Sequence, residues 1–188
     1  MAEPTTPLRV ALAGHVDHGK STLVGRLLHD TGSLMQGAAR QVEVTSQRRG
    51  RETEWAFVTD ALQVERDMGV TVDVSFIRFA TPARRFVLID APGHHEFLKN
   101  MVSGAAQADG AVLVLDAAEG VQKQTRRHGL LLHLLGVRQI VVAINKMDLA
   151  GFDERRFNDL RDELARHLSA IGVTPTVVVP VAARGGDN

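Results

Sequence analysis

Short apolar runs alternate with longer mixed segments along this chain of 188 residues. Two of the runs, residues 111–115 and 140–144, are apolar at every position, which is typical of parallel strands buried on both faces of a sheet. Residues 8–13 and 176–181 are also predicted to be strands. Helical patterns separate these strands, and they cover residues 21–29, 122–135 and 153–171.

A hairpin interrupts this alternation in the first half of the chain. Residues 72–79 alternate between apolar and polar side chains, residues 81–84 form a turn pattern with a proline, and residues 85–89 are apolar after Arg85. That pair predicts two antiparallel strands. With the other strands, it predicts a three-layer αβα fold around a mostly parallel six-stranded sheet with one antiparallel strand. In such sheets ligands bind at the carboxyl ends of the strands.

Two local features add detail to this picture. The predicted helix 122–135 carries Leu131, Leu134 and Leu135, which we expect on one side as its apolar stripe. The segment 30–69 is too long for an ordinary connection, and connections of that length are usually functional or mobile.

The first strand runs directly into a glycine-rich loop and then a helix. The loop consists of Gly14, His15, Val16, Asp17, His18, Gly19, Lys20 and Ser21. In that context the pattern predicts a loop whose backbone N–H groups surround a phosphate. Lys20 can reach the β- and γ-phosphates, and the Ser21 hydroxyl can bind magnesium. The two histidines have no evident chemical role and are interpreted as structural or solvent-facing.

A second polar loop begins with Asp90, directly after the strand 85–89. An aspartate at that strand end can hold the metal through a water, and the N–H of Gly93 can bond the γ-phosphate. Alone, the Pro92–Gly93 pair would only indicate a turn. Its position behind a phosphate-binding loop makes the nucleotide interpretation stronger.

A third polar loop, Asn145 to Asp148, follows the strand 140–144. The Asp148 carboxylate can accept hydrogen bonds from N1–H and the 2-amino group of guanine. Adenine lacks both donors, so the unpaired carboxylate would cost on the order of 2–4 kcal/mol. Asn145 would tie the loop together, and the Lys146 stem would lie along the base. The alternative is a polar loop in which Asp148 caps the next helix.

Composition excludes several other classes of protein. Lys and Arg number 22, as do Asp and Glu, so bulk positive charge is absent and we expect no direct nucleic-acid binding by this domain. Without cysteine, the chain has neither disulfides nor thiol catalysis. The apolar runs are too short to span a bilayer, and residues 1–7 carry no secretory signal, so the cytoplasm is the expected location.

Taken together, the three loops resemble those of the translation-factor class of GTPases. Residues 55–60 and 65–73 resemble the switch region of elongation factor 1 alpha and of the GTPase subunit of ATP sulfurylase. Residues 124–128 and 133–149 are more similar to the sulfurylase subunit, whereas the phosphate loop and residues 90–101 are more similar to the elongation factor. The resemblance covers essentially the whole chain and implies the P-loop NTPase G-domain form of the predicted fold.

The resemblance also implies roles for individual residues. Thr71 would bind magnesium and the γ-phosphate only in the GTP state, so residues 30–71 would form the first switch and residues 90–106 the second. His94 would orient the attacking water and, with Lys20 and Thr71, would form the catalytic set. Ser21, Thr71 and Asp90 would hold the magnesium ion.

Further contacts follow from the same resemblance. Thr22 would touch the α-phosphate of GTP or GDP, and Asp17 would help hold the phosphate loop or a monovalent cation. The backbone N–H of Ala183 would meet the guanine carbonyl. The chain departs from the family at Ala182 and Arg184, where Ser and Leu are usual, which keeps the backbone donor and affects the rigidity of the loop.

Three functions are compatible with these residues. The first is a GTPase that drives the formation of adenosine 5′-phosphosulfate by a separate catalytic subunit of ATP sulfurylase. The second is a translation factor that acts with the ribosome and delivers a charged tRNA or a release factor. The third is a nucleotide-gated binding module with little hydrolysis. The family continues with a last helix and β-barrel domains, so residues 1–188 are expected to be the GTP-binding domain without them.

Overall fold

In the computed structural model, six strands and three helices lie within the residues that the structure describes, which are 6–34, 55, 75–90 and 106–188. The strands in chain order are β1 (Leu8–Gly14), β2 (Ser75–Ala80), β3 (Arg85–Asp90), β4 (Gly110–Asp116), β5 (Ile140–Asn145) and β6 (Val177–Pro180). The helices are α1 (Lys20–Asp30), α2 (Lys123–Leu134) and α3 (Glu154–Ser169). No helix in those ranges has the length and hydropathy needed to cross a membrane.

The strands form one sheet in the order β2-β3-β1-β4-β5-β6. Every neighbouring pair is parallel except β2 and β3, which are antiparallel and joined by a turn. Thr81 and Arg84 close that turn with two backbone hydrogen bonds of 2.9 and 3.3 Å. The predicted fold class and hairpin are therefore confirmed, while residues 72–74 of the predicted hairpin lie outside the described residues.

The sheet has a hydrophobic core on each face. Side chains alternate along β1, so that Ala11 and Ala13 face one side and Leu12 faces the other. On the first side they pack with Leu164 and the other buried leucines of α3, and on the second with Val24 of α1. Because helices cover both faces, residues 111–115 of β4 and 140–144 of β5 are apolar at every position, as the sequence pattern predicted.

The predicted apolar stripe of α2 was wrong at Leu134, whereas Leu135 packs against the core from a partly buried position. Leu134 is 70% exposed, and the side that faces the core carries Thr125, His128, Gly129 and Leu132. At Gly129 an added Cβ would lie 2.6 Å from a terminal methyl of Leu168, so a larger residue would have to displace that side chain where α2 meets α3. The leucine-rich run fits either side of the helix, and close packing against α3 selects Leu132.

The carboxyl ends of the central strands lie side by side at one edge of the sheet. Asp116 pairs in register with Asn145, and Leu12, two residues before the end of β1, pairs with Asp90. All three predicted loops therefore begin at this edge. This is the edge at which α/β sheets bind their ligands.

Trp55 is the single tryptophan of the chain and belongs to the predicted first switch. It is buried against α1, where its ring lies 4.4 Å from that of His29 and 5.8 Å from the guanidinium of Arg26. Gly25 allows this contact, because a Cβ there would collide with the carbonyl oxygen of Trp55. The rest of that predicted switch, residues 35–54 and 56–71, lies outside the described residues.

This contact predicts that Gly25→Ala displaces Trp55. Alanine favours a helix by about 1 kcal/mol over glycine, so any loss of stability must come from the collision. The tryptophan emission should move to longer wavelength, and acrylamide should quench it more strongly. The control is Asp159→Ala at an exposed site on α3. An unchanged emission spectrum for Gly25→Ala would contradict the docking of Trp55.

Candidate nucleotide-binding site

The phosphate loop connects β1 to α1 and depends on two glycines. Gly14 has φ 152°, and a Cβ there would lie 2.7 Å from the carbonyl oxygen of Val114. Gly19 has φ 84°, and a Cβ there would lie 2.5 Å from the side-chain nitrogen of Asn145. Both positions combine a backbone conformation that favours glycine with an approach that only glycine permits.

The amino end of α1 is suited to an anion. Gly19 occupies the N-cap position, no side chain caps the helix, and no acidic residue lies in its first turn. The first-turn N–H groups of Lys20, Ser21 and Thr22 have no carbonyl partner within the helix, and the helix dipole adds positive potential. A phosphate group would satisfy these donors.

Lys20 is bent back over the loop. Its ammonium group donates to the carbonyl oxygens of Gly14 at 2.9 Å and His15 at 2.8 Å. Burial lowers the pKa of Lys20, and the nearby carboxylates of Asp90 and Asp17 partly oppose that shift. The ammonium therefore lacks full compensation for its lost water, which favours an anionic ligand.

Asp90 ends β3 close to this lysine. Burial raises the pKa of its carboxyl group, and Lys20 offsets only part of that rise. One carboxylate oxygen, Oδ1, is buried and has no hydrogen-bond partner among the described residues. One carboxylate and the Ser21 hydroxyl fit a magnesium ion that also takes phosphate oxygens as ligands. Thr71, Gly93 and His94 lie outside the described residues, so their predicted roles stay predictions.

Asn145 joins the phosphate loop to the loop that follows β6. Its buried amide donates to the carbonyl oxygen of His18 at 3.0 Å and accepts from the backbone N–H of Ala183 at 3.1 Å. The Ala183 N–H is the group expected to meet the guanine carbonyl, and here it is bonded to Asn145. A bound base would share or replace that hydrogen bond, and the role of Ala183 stays a prediction.

The base loop presents Asp148 to solvent. Met147 is buried and its N–H bonds the carbonyl of Val181 at 3.1 Å, which anchors the loop. Asp148 is exposed, and no hydrogen bond to its carboxylate occurs within the described part of the chain. The residue before Met147, Lys146, has φ 61° and forms an ion pair with Asp116 at 2.6 Å. The Asp148 carboxylate is therefore free to accept hydrogen bonds from a guanine base.

Sequence reasoning missed two carboxylates that support these loops. Asp116 holds Lys146, and Glu119 lies 3.3 Å from Nε2 of His18. His18 is fully buried, and its Nδ1 lies 3.1 Å from the carbonyl oxygen of Val114, so the structural interpretation of this histidine fits better than the solvent-facing one. The position of Asp116 at the end of β4 was the available signal, since strand ends form the site.

The chain is similar in sequence to known proteins. The family model of the elongation factor Tu GTP binding domain matches residues 6–188. The chain is 46% identical over 185 residues to the bifunctional enzyme CysN/CysC of Mycobacterium tuberculosis, covering 98% of this chain and 30% of that protein. It is 42% identical over 188 residues to elongation factor 1-alpha of Thermococcus kodakarensis, covering 100% of this chain and 44% of that protein.

A solved structure is similar to this chain in fold. The crystal structure of a bacterial selenocysteine-specific elongation factor, EF-Sec, matches with a TM-score of 0.67 and 29% identity, covering 97% of this chain and 26% of that chain. The chain thus spans less than half the length of each of these relatives.

The buried Asp90 carboxylate predicts a particular pH dependence of stability. Its folded-state pKa lies above the ordinary 3.8, so stability falls as the pH rises through the range between these two values. Asp90→Asn removes this cost and should raise the free energy of unfolding of the nucleotide-free protein by roughly 1–2 kcal/mol at neutral pH.

The measurement is urea unfolding of both proteins between pH about 4 and about 8. The advantage of Asp90→Asn should shrink toward the acid end of that range. Asp159→Asn, at an exposed site on α3, is the matched control and should follow the wild type. A destabilised Asp90→Asn protein at neutral pH would show that the carboxylate is well solvated or paired.

Proposed function

This chain belongs to the family of elongation factor Tu GTP-binding domains, and from that premise we propose that it hydrolyses GTP as the switch domain of an ATP sulfurylase-type GTPase subunit. Family membership makes it a GTP-binding domain of the P-loop GTPase class. The proposal concerns the reaction and the pathway that the switch serves.

The observation that supports the proposal best is the meeting of three loops at one sheet edge. The amino end of α1 offers N–H donors, Asp90 offers a buried carboxylate without a partner among the described residues, and Asp148 offers an exposed one. These groups match a phosphate, a magnesium ion and a guanine base in turn. Asn145 sets the spacing between the phosphate end and the base end.

The proposed reaction is in-line attack of water on the γ-phosphorus of GTP. Lys20 would leave the carbonyl oxygens of Gly14 and His15 and donate to the phosphate oxygens instead. Magnesium, held by Ser21, Thr71 and Asp90, would neutralise part of the charge on the phosphates. With His94 orienting the water, loss of the γ-phosphate would release Thr71 and Gly93.

The choice of pathway rests on sequence resemblance, over the whole chain and in one segment. Identity is 46% to the CysN/CysC enzyme and 42% to elongation factor 1-alpha, which favours the sulfurylase type by a small margin. The sulfurylase-like residues 124–128 lie in the first turns of α2, where Thr125 is buried and accepts from the N–H of Gln122. Gln122 in turn donates to the carbonyl oxygen of Glu119, beside the phosphate loop.

The second candidate is a translation factor, since residues 90–101 and the phosphate loop resemble elongation factor 1 alpha. Affinity capture from the native host with the full-length protein separates the two candidates. Recovery of a catalytic sulfurylase subunit would support the first, and recovery of ribosomes with aminoacyl-tRNA would overturn it in favour of the second.

Hydrolysis by the captured complex tests whether the switch turns over. GTP should be converted to GDP, and His94→Ala should slow that conversion while leaving GTP affinity nearly unchanged. Equal turnover by the wild type and His94→Ala would remove His94 from the reaction. GTP binding without turnover in the complex would favour a nucleotide-gated binding module.

Guanine selectivity gives the most direct prediction for the chain itself. Isothermal titration should give GDP and GTP an affinity at least about 100-fold higher than that of ATP, because adenine leaves the Asp148 carboxylate unpaired. Equal affinities would rule out the assignment of the base loop.

Asp148→Asn should reverse part of this selectivity. An asparagine amide can donate to the 2-oxo group of xanthine, which the carboxylate repels. The ratio of xanthosine diphosphate affinity to GDP affinity should rise by about 100-fold or more, each tenfold step being about 1.4 kcal/mol. Asp153→Asn, at the exposed N-cap of α3, is the nearby control and should leave the ratio unchanged.

A further inference from the structure

The ion pair between Lys146 and Asp116 joins the base loop to the end of β4. The lysine Nζ lies 2.6 Å from Oδ2 of Asp116, and the side chains are 29% and 3% exposed. Asp116 pairs in register with Asn145, so it stands beside the first residue of the base loop. Lys146 is the very next residue, and its side chain turns back toward β4.

Lys146 holds a backbone conformation that a lysine rarely adopts. Its φ of 61° lies in the left-handed region, where a side chain with a Cβ is strained. Its stem runs beside the phosphate loop, since a Cβ at Gly19 would lie 4.0 Å from Cε of Lys146. The stem therefore lies between the phosphate end and the base end of the site, and the Asp116 carboxylate fixes its tip.

Backbone N–H groups of the following turn fix the Asp116 carboxylate in place. Its Oδ1 accepts from the N–H groups of Ala118 at 2.7 Å and Glu119 at 3.3 Å. Arg156 of α3 donates to the carbonyl oxygens of Ala117 at 2.9 Å and Ala118 at 3.2 Å, which fixes the turn. Burial alone would raise the pKa of Asp116, but Lys146 and the two N–H groups outweigh it and hold that pKa below the ordinary value.

We propose that Asp116 is a positioning residue for guanine recognition, which shapes the base loop through Lys146 before the nucleotide binds. This inference rests on the proposed binding of guanine by the base loop. The carboxylate keeps the lysine tip away from the phosphates and lays its stem along the base position. Without Asp116, the ammonium group can turn toward a bound polyphosphate, and the base loses one wall of its site.

The inference is testable because loss of the Asp116 charge should weaken the binding of GDP without weakening the binding of pyrophosphate. Asp116→Asn keeps an oxygen for the N–H groups of Ala118 and Glu119 and removes only the charge that holds Lys146. The affinity for GDP should fall about tenfold, while the affinity for inorganic pyrophosphate stays equal to that of the wild type or rises. A substitution that only disturbed the structure would lower the affinity for both GDP and pyrophosphate.

Three further variants complete the test by titration calorimetry on the 188-residue chain. Lys146→Met keeps the stem without the ammonium group, and in that background Asp116→Asn should change GDP affinity less than about twofold. Asp109→Asn alters an aspartate at the opposite end of β4, where it accepts from the N–H of Arg9, and should change neither affinity.

The outcomes separate this inference from the proposed function. A wild-type chain that binds ADP as well as GDP would overturn both. A wild type that prefers GDP, with Asp116→Asn binding GDP equally well, would overturn the role of Asp116 alone. Equal losses of GDP and pyrophosphate affinity, or a full Asp116→Asn effect in the Lys146→Met background, would also overturn it.

Discussion

The buried side chain of Asn145 is the contact on which the geometry of the site depends. One amide group donates to the carbonyl oxygen of His18 and accepts from the N–H of Ala183, so it joins the phosphate loop to the loop that follows β6. An aspartate would place a carboxylate against the His18 carbonyl, and a leucine would leave two buried backbone groups unpaired at about 1–3 kcal/mol each. Only an amide satisfies both, and Gly19 provides the room for it.

The two charged side chains at the phosphate end of the site, Lys20 and Asp90, lack full compensation when no ligand is bound. Burial moves the pKa of Lys20 down and that of Asp90 up, so each group is less stable in its charged form than it would be in water. A polyphosphate and a divalent cation supply the counter-charges that these groups lack. A ligand at 100 times its dissociation constant adds about 2.7 kcal/mol to stability, a value similar to the cost of one buried unpaired group.

The sheet and the motif positions could be predicted from the sequence because both depend on local pattern. Apolar runs indicated β4 and β5, and the glycine-rich loop indicated where β1 ends. The buried side of α2 could not be predicted in this way, because residues 130–135 include five leucines. Packing against Leu168 of α3 determines which of these leucines is buried. The contacts of Asp116 and Glu119 join residues about 30 and 100 positions away, which spacing along the chain does not reveal.

The turn after β4 links the parts of the site that the nucleotide joins. Asp116 contacts the base loop through Lys146, and Glu119 contacts the phosphate loop through His18. The same turn leads into α2, where Gln122 bonds the carbonyl of Glu119. A displacement of the amino end of α2 would therefore act on both carboxylates, because hydrogen bonds within residues 116–122 join the start of α2 to the turn that carries them.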